Sequence, residues 1–261
     1  MRLSEAAGLL GVHYQTAYGW VRDGSLPARL VAGGYEVTED DVGDFQTRRR
    51  LGRNPSAQIQ ERDWVSQAGR LYRAIIDGQE TAARRAMDRL AGRVSKTDLC
   101  DRLIAPALRQ VGDGWAAGLV SIAQEHRAAA ICERLIAVNS SQPAGRPRGT
   151  AVVATPQDER HGLPALMATV CLREHRWYVH HLAADLPATE VATLARTVEA
   201  DLVVLSTATP TGVQRASEAA RLVLALAPGV AVLIGRSGDT LADLADQAAR
   251  VRPEQAPPLA G

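Results

Sequence analysis

Phenylalanine is nearly absent: Phe45 is the one such residue in 261. A core without phenylalanine has to be built from Ala, Leu and Val. The four tryptophans therefore stand out as residues that either anchor that core or serve a site. Lysine is as scarce: Lys96 is the only lysine among 30 basic residues, and with the heavy use of alanine this fits a GC-rich coding bias. The three cysteines, Cys100, Cys132 and Cys171, lie far apart and form no CxxC pair. That excludes a zinc knuckle or a disulfide framework and leads us to expect a reducing, cytoplasmic setting. No stretch reaches the ~18 apolar residues of a membrane span, and no signal-peptide pattern is seen, so no membrane partner is expected. The formal net charge is +1, which leaves no global nucleic-acid footprint. Any DNA contact has to come from a local surface.

What is present is organisation. The 46% hydrophobic and 23% charged content suits a globular chain with room for one large domain or two to three small ones. Three patterns follow one another, over residues 1–50, 58–140 and 148–253, with a tail at 254–261 expected to fray. Residues 51–57 (Leu-Gly-Arg-Asn-Pro-Ser-Ala) and 141–149 (Ser-Gln-Pro-Ala-Gly-Arg-Pro-Arg-Gly) read as linkers.

In the first region a short helix capped by Ser4 is expected over residues 3–10, followed by a tight Gly11-Val12 turn. A second helix follows over 13–20, then a small hairpin around Gly33-Gly34. The landmarks Ser4, Ala6-Ala7, Leu10-Gly11-Val12, Trp20, Gly24 and Leu26-Pro27 resemble those of excisionase and MerR-type winged helix-turn-helix domains. The resemblance implies that the second helix enters a DNA major groove, with His13, Tyr14, Gln15, Thr16, Tyr18 and Arg22 as the contacting residues. The segment to residue 53 carries seven Arg against seven Asp or Glu, so it is neutral. Arg48-Arg49-Arg50 with Arg53 can supply phosphate contacts, and useful DNA binding is expected only from an oligomer.

From 58 to 140 apolar residues recur at spacings of three and four, as in Trp64, Ala68, Leu71, Ala74 and Ile75, and again in Leu99, Leu103, Ala107 and Leu108. This predicts a four- to five-helix bundle. From 150 strand patterns (150–154, 177–182, 202–206, 230–234) alternate with helical ones (162–174, 188–198, 212–226, 239–250). That alternation predicts a doubly wound parallel sheet, a Rossmann-like domain. The fold class is thus multidomain α and α/β.

Ligands bind such sheets at the carboxyl ends of the strands. After the first strand stands Asp158-Glu159-Arg160-His161, after the third Ser206-Thr207-Ala208-Thr209, and after the fourth Gly235-Arg236-Ser237-Gly238. A carboxylate two residues before a histidine can hold one ring nitrogen and leave the other for a metal. Glu159-x-His161, Ser206 and Gly235 resemble the cobalamin-binding module of methionine synthase and its relatives. By that resemblance His161 is the lower axial ligand of cobalt, Glu159 bonds its other nitrogen, and Ser206 and Gly235 line a cleft for the nucleotide tail. The sequence departs from the pattern at Pro164, where a glycine is usual, and at Arg236, the second position of a glycine pair.

Upstream, Trp115 is followed after nine residues by Glu125-His126, with Gly118 expected to break the helix between them and Ser121 with Gln124 to form a capping box. This W-x9-E-H arrangement resembles the helical cap of CarH- and LitR-type cobalamin-dependent photoreceptor regulators. It implies that Trp115, Glu125 and His126 roof the upper face of adenosylcobalamin. Light-sensing members often carry histidine directly after the tryptophan, where this chain has Ala116. A related group also holds a second tetrapyrrole, a bilin, and an altered upper pocket is compatible with that. The resemblance further implies a homo-oligomer, dimer or tetramer, with Arg160 and Asp185 in intersubunit ion pairs, although Arg176 stands where a small residue is common. The favoured reading is a light-responsive, cobalamin-binding transcriptional regulator and not an enzyme. The alternatives are a corrinoid methyl carrier, a bilin-binding relative, and a regulator whose cobalamin site has decayed.

Overall fold

The computed structural model describes residues 1–10, 12–22, 26–31, 34–50 and 61–252, with the backbone only at 44, 46–50, 61 and 62. The linker at 51–57, the expected turn at Gly11, Gly24, Gly33, the side chains of Arg48 to Arg50, Arg53 and the tail lie outside the described residues. The chain divides into two compact units, Met1–Ile59 and Gln60–Gly261.

The first unit contains α1 (Leu3–Leu9), α2 (Tyr14–Arg22), an antiparallel ribbon of β1 (Arg29–Val31) and β2 (Gly34–Glu36), and α3 (Glu39–Arg50). Its core gathers Leu3, Ala6, Ala7, Ala17, Leu26, Val37, Val42 and Phe45, with Trp20 stacked at a tilt on Phe45. The expected cap at Ser4 is not what forms. The helix begins two residues earlier, with Arg2 at the cap position. Glu5 reaches back to accept the Arg2 N–H at 2.8 Å, while Leu3 is drawn in as a core residue. Burial of Leu3 outweighs the hydroxyl cap that Ser4 offers.

The second unit is a helical bundle packed on a sheet domain. The bundle has α4 (Glu61–Ile76), α5 (Glu80–Asp88), a continuous helix built from α6 (Lys96–Asp98), a π-helical segment (Leu99–Ile104) and α7 (Ala105–Ala116), and then α8 (Ile122–Val138). The predicted stripe is its core: Trp64, Ala68, Leu71, Ala74, Ile75, Leu99, Leu103 and Ala107 are all buried. Leu108 is half-buried.

The sheet consists of β3 (Gly149–Ala154), β4 (Trp177–His181), β5 (Leu202–Ser206) and β6 (Ala231–Gly235), all parallel, in the order β4-β3-β5-β6. Alternation along β3 sends Val152 and Ala154 to one face, against α10 (Ala188–Thr197) and α11 (Pro210–Leu226). It sends Ala151 and Val153 to the other, against α9 (Gly162–Glu174) and α12 (Leu241–Arg250). Both faces are therefore covered, and the inner strands β3 and β5 are buried and largely apolar, as parallel sheets require, while the edge strand β4 carries an exposed Tyr178 and half-buried His180 and His181. The connection after β3 leads outward to β4 and that after β5 leads the opposite way to β6. The switch point, where such sheets bind ligands, thus lies between β3 and β5.

Bundle and sheet are joined by two matching helix caps. The Glu174 carboxylate, at the end of α9, accepts the first two N–H groups of α6, from Lys96 (2.7 Å) and Thr97 (2.8 Å), while Ser95 Oγ accepts the third, from Asp98 (2.9 Å). In the opposite direction the Asp101 carboxylate accepts the first two N–H groups of α12, from Leu241 (2.9 Å) and Ala242 (3.1 Å), while Thr240 Oγ1 accepts the third, from Asp243 (3.1 Å). Each layer supplies the anion that satisfies the other's helix N-terminus. Asp101 stands within the π-helical segment. Such a bulge turns side chains away from the direction an unbroken α-helix would give them.

Candidate functional site

The loop after β3 is fixed by its own polar atoms. Thr155 Oγ1 donates to the Glu159 carbonyl (2.8 Å) and accepts the Asp185 N–H (2.9 Å), and the Asp158 N–H donates to Asp185 Oδ1 (2.8 Å). Asp158 and Asp185 are both left-handed, with φ of 68° and 63°. Asp tolerates this conformation better than most residues, and the hydrogen bonds offset a cost on the order of 1 kcal/mol each.

The geometry buries the Glu159 side chain, 1% exposed, and leaves the His161 ring out, 61% exposed. Glu159 Oε1 lies 2.5 Å from His161 Nδ1 and also accepts the His161 N–H at 3.2 Å. Glu159 Oε2 accepts three hydrogen bonds from the start of α11: Ala208 N–H (2.9 Å), Thr209 N–H (3.0 Å) and Thr209 Oγ1–H (2.8 Å). Burial alone would raise the Glu159 pKa, but the bonds from Ala208, His161 and Thr209 outweigh it and bring it down to about 2. The carboxylate is therefore an anion that only accepts, so Nδ1 is the donor and Nε2 of a neutral ring keeps its lone pair. Because Glu159 follows β3 and its donors follow β5, this clamp spans the switch point of the sheet.

Two further residues make the clamp possible. Thr209 caps α11, its hydroxyl donating to Glu159 while accepting the Gly212 N–H at 3.0 Å. A Cβ at Gly212 would stand 2.4 Å from Glu159 Oε2, so the carboxylate reaches the helix only over a glycine. Thr209 belongs to the hydroxyl-rich loop that the sequence picks out, but its bond to Glu159 and the need for Gly212 are not visible there. The pair Thr209-Pro210, a cap residue followed by proline at the first helical position, is the signal that places the start of α11 at 210 and not at 212.

Ser206 and Gly235 end β5 and β6 and are paired in register. Ser206 is buried, and a Cβ built on Gly235 meets no atom within 4 Å, so open space lies above it. The Gly235 carbonyl accepts from both the N–H and the hydroxyl of Thr207, at 2.9 and 2.8 Å. The departures from the family pattern are mild in structure. Pro164 is the third residue of α9, where its missing N–H would have had no intrahelical partner. Arg236 is exposed in a turn closed by its N–H to Asp239 Oδ2 at 2.8 Å.

Trp115 is the penultimate residue of α7 and is 53% exposed, which separates it from the buried core tryptophans Trp64 and Trp177. Gly118, with φ of 72°, stops the helix there, and Ser121 with Gln124 forms the capping box that starts α8. Glu125 Oε2 lies 2.6 Å from His126 Nδ1, and the ring is exposed. Leu119 and Ile122 are also exposed beside them, an apolar addition that the sequence motif does not include. The C-terminal ends of α8 and α9 meet: Arg173 donates to Ser140 Oγ at 2.7 Å, and Lys96, held by Glu174, donates to the Asn139 carbonyl at 2.9 Å.

In the first unit His13, Tyr14, Gln15, Thr16 and Arg22 are exposed and Tyr18 is half-buried, stacked with Tyr14 and edge-on to Tyr35. His13 Nδ1 accepts the Gln15 N–H at 3.4 Å, so that ring also sits at the start of α2. Arg160 and Asp185 are both exposed, with one Asp185 oxygen already engaged by Asp158.

Among the described residues no group of three or more His, Cys, Asp or Glu is arranged to hold a metal ion. What His161 offers at the switch point is a single imidazole nitrogen. That fits a metal already held in a macrocycle and lacking an axial ligand, not a bare cation.

A family profile described as a B12 binding domain matches residues 67–138. The chain is 26% identical over 270 residues to the HTH-type transcriptional repressor CarH of Myxococcus xanthus, covering 90% of this chain and 88% of that protein. Among solved structures it resembles the monomethylamine corrinoid protein of Methanosarcina barkeri, with a TM-score of 0.56 and 17% identity over 69% of this chain and 96% of the other. The second unit thus has the mixed helical and parallel-sheet fold of that protein. No described helix is long and apolar enough to cross a membrane.

Proposed function

We propose that this protein is a cobalamin-binding, light-responsive regulator of transcription that binds DNA. The observation that carries the reading is the Glu159–His161 pair at the switch point, an imidazole with one nitrogen tied to a buried anion and the other facing outward. Similarity to a transcriptional repressor over nine-tenths of the chain supports the regulatory part. The helix, helix and ribbon order of the first unit supports a winged helix-turn-helix. In it Tyr14, Gln15, Thr16 and Arg22 face DNA, with His13 and Tyr18 flanking them.

His161 would hold the lower face of the corrin, Ser206 and Gly235 its tail, and Trp115, Glu125 and His126 its upper face. Adenosylcobalamin, when bound, supplies a cobalt–carbon bond that light cleaves. The chain's own part is to fix the His161 ring through Glu159, to shield the upper face with Trp115, and to link that face to the sheet through the Glu174 and Asp101 caps. A change in how the bundle sits would shift an equilibrium between oligomers and so the avidity for DNA. Arg160 and Asp185 are the exposed charges assigned to that assembly.

The test is the absorption spectrum of protein loaded with adenosylcobalamin in darkness, then lit with green light. The spectrum is expected to change on illumination, and to differ in darkness between the wild type and His161→Ala. An unchanged spectrum on illumination removes the light response. An identical dark spectrum in the variant removes His161 as ligand. A second reading, a corrinoid methyl carrier, is favoured by the fold shared with the methylamine corrinoid protein. Turnover of methylcobalamin with a methyltransferase, and no effect of light on DNA affinity, would select it.

A further inference from the structure

The bundle carries a basic groove that the cobalamin reading does not use. Helices α4 and α5 form an antiparallel hairpin, closed by Gly78 in a left-handed turn with φ of 74°. Between them lies a cavity of about 450 Å³ open to solvent. Arg73 and Arg85 flank its end nearer the turn, and Arg70 and Arg89 the farther end, with Asp77 the one acidic residue on its wall. All four arginines are exposed, and none makes an ion pair or side-chain hydrogen bond among the described residues. Their neighbours behave otherwise: Arg84 pairs with Asp88, and Arg134 with Glu80.

Four like charges around one concavity repel each other, and neutral alternatives at these solvent-facing positions would fold as well. Along α4 the two arginines are three residues apart and along α5 four apart, so each pair projects from one helix face. The floor is made of small residues, among them buried Ala74 and Ala86, which leave room for a ligand to sit down between the helices. Guanidinium groups bind phosphate oxygens bidentately, and two facing pairs provide for two phosphates side by side. The volume is that of a small-molecule site, and a groove between two packed helices is too narrow for a duplex to enter.

We propose that the α4–α5 groove binds a small polyanion with at least two adjacent phosphate groups, as a ligand separate from any at His161. Inorganic pyrophosphate is the probe. Isothermal titration of the full-length protein with pyrophosphate is expected to show saturable binding that weakens with added salt, with orthophosphate weaker. The double variant Arg73→Gln/Arg85→Gln is expected to lose affinity by about tenfold or more. Its circular dichroism and thermal midpoint should match the wild type, because both side chains are exposed. The proposal is overturned by an absence of saturable pyrophosphate binding or by equal affinity in the folded double variant. It is also overturned if random-sequence duplex DNA, and not pyrophosphate, is the anion whose binding the double substitution weakens.

Discussion

His161 Nδ1 lies 2.5 Å from Glu159 Oε1, and the other oxygen of the same carboxylate takes three hydrogen bonds from the start of α11. One side chain thereby ties an exposed imidazole on the first strand's loop to a helix that follows the third strand. The orientation of the ring is a property of the sheet's switch point and not of its own loop alone.

Gly212→Ala puts a methyl group where Oε2 stands, at 2.4 Å. The carboxylate has to leave the N-terminus of α11, and the expected loss of stability is about 1–3 kcal/mol. Cobalamin affinity is expected to fall about tenfold or more, as when an outer-shell partner of a metal-binding histidine is removed. Thermal unfolding and spectral titration measure the two effects, and a variant with both at wild-type levels would remove Gly212 from the clamp.

Acid should act on Glu159 in a defined window. Its folded pKa, about 2, is below the unfolded value of 4.5, so its stabilisation is complete above 4.5 and fades as pH falls towards 2. The amount is at most about 3 kcal/mol. Urea unfolding of the wild type and Glu159→Gln is expected to differ at pH 7, with the difference narrowing as pH falls from 4.5 towards 2. A constant difference across that range would contradict the depressed pKa.

Trp115→Ala tests the roof without disturbing the core. The side chain is half exposed, so stability should change by less than about 0.5 kcal/mol. Cobalamin affinity, measured in darkness, should nonetheless drop by about tenfold. If stability falls and affinity does not, Trp115 is a packing residue.

Glu174→Ala and Asp101→Ala each remove one cap across the bundle–sheet junction, at an expected cost of about 1–2 kcal/mol. The two helices share one junction, so the double variant should depart from additivity by about 0.5 kcal/mol or more. Hydrogen exchange is expected to rise first at the starts of α6 and α12. Strict additivity would mean that the caps act independently.

Much of this was legible in the sequence. Periodicity locates the bundle stripe from Trp64 to Ile75, and apolar runs locate all four strands to within a residue. Glu159 and His161 are visible because the contact is local, two residues apart. Thr209 is visible as part of a hydroxyl-rich loop, but its pairing with Glu159 and the role of Gly212 were not, because they lie 50 and 53 residues beyond Glu159 and carry no local sign of that partner. The Glu174 and Asp101 caps were hidden for the same reason. Ser4 misled because a good cap residue competes with burial of Leu3, and burial decides.

His161 and Glu174 are the two ends of one helix. The imidazole stands at the first cap of α9 and the carboxylate that holds α6 is its last residue, 13 residues apart or about 20 Å. Mechanically α9 is a strut. A pull on the ring at one end arrives at the root of the bundle at the other, with no loop between to absorb it.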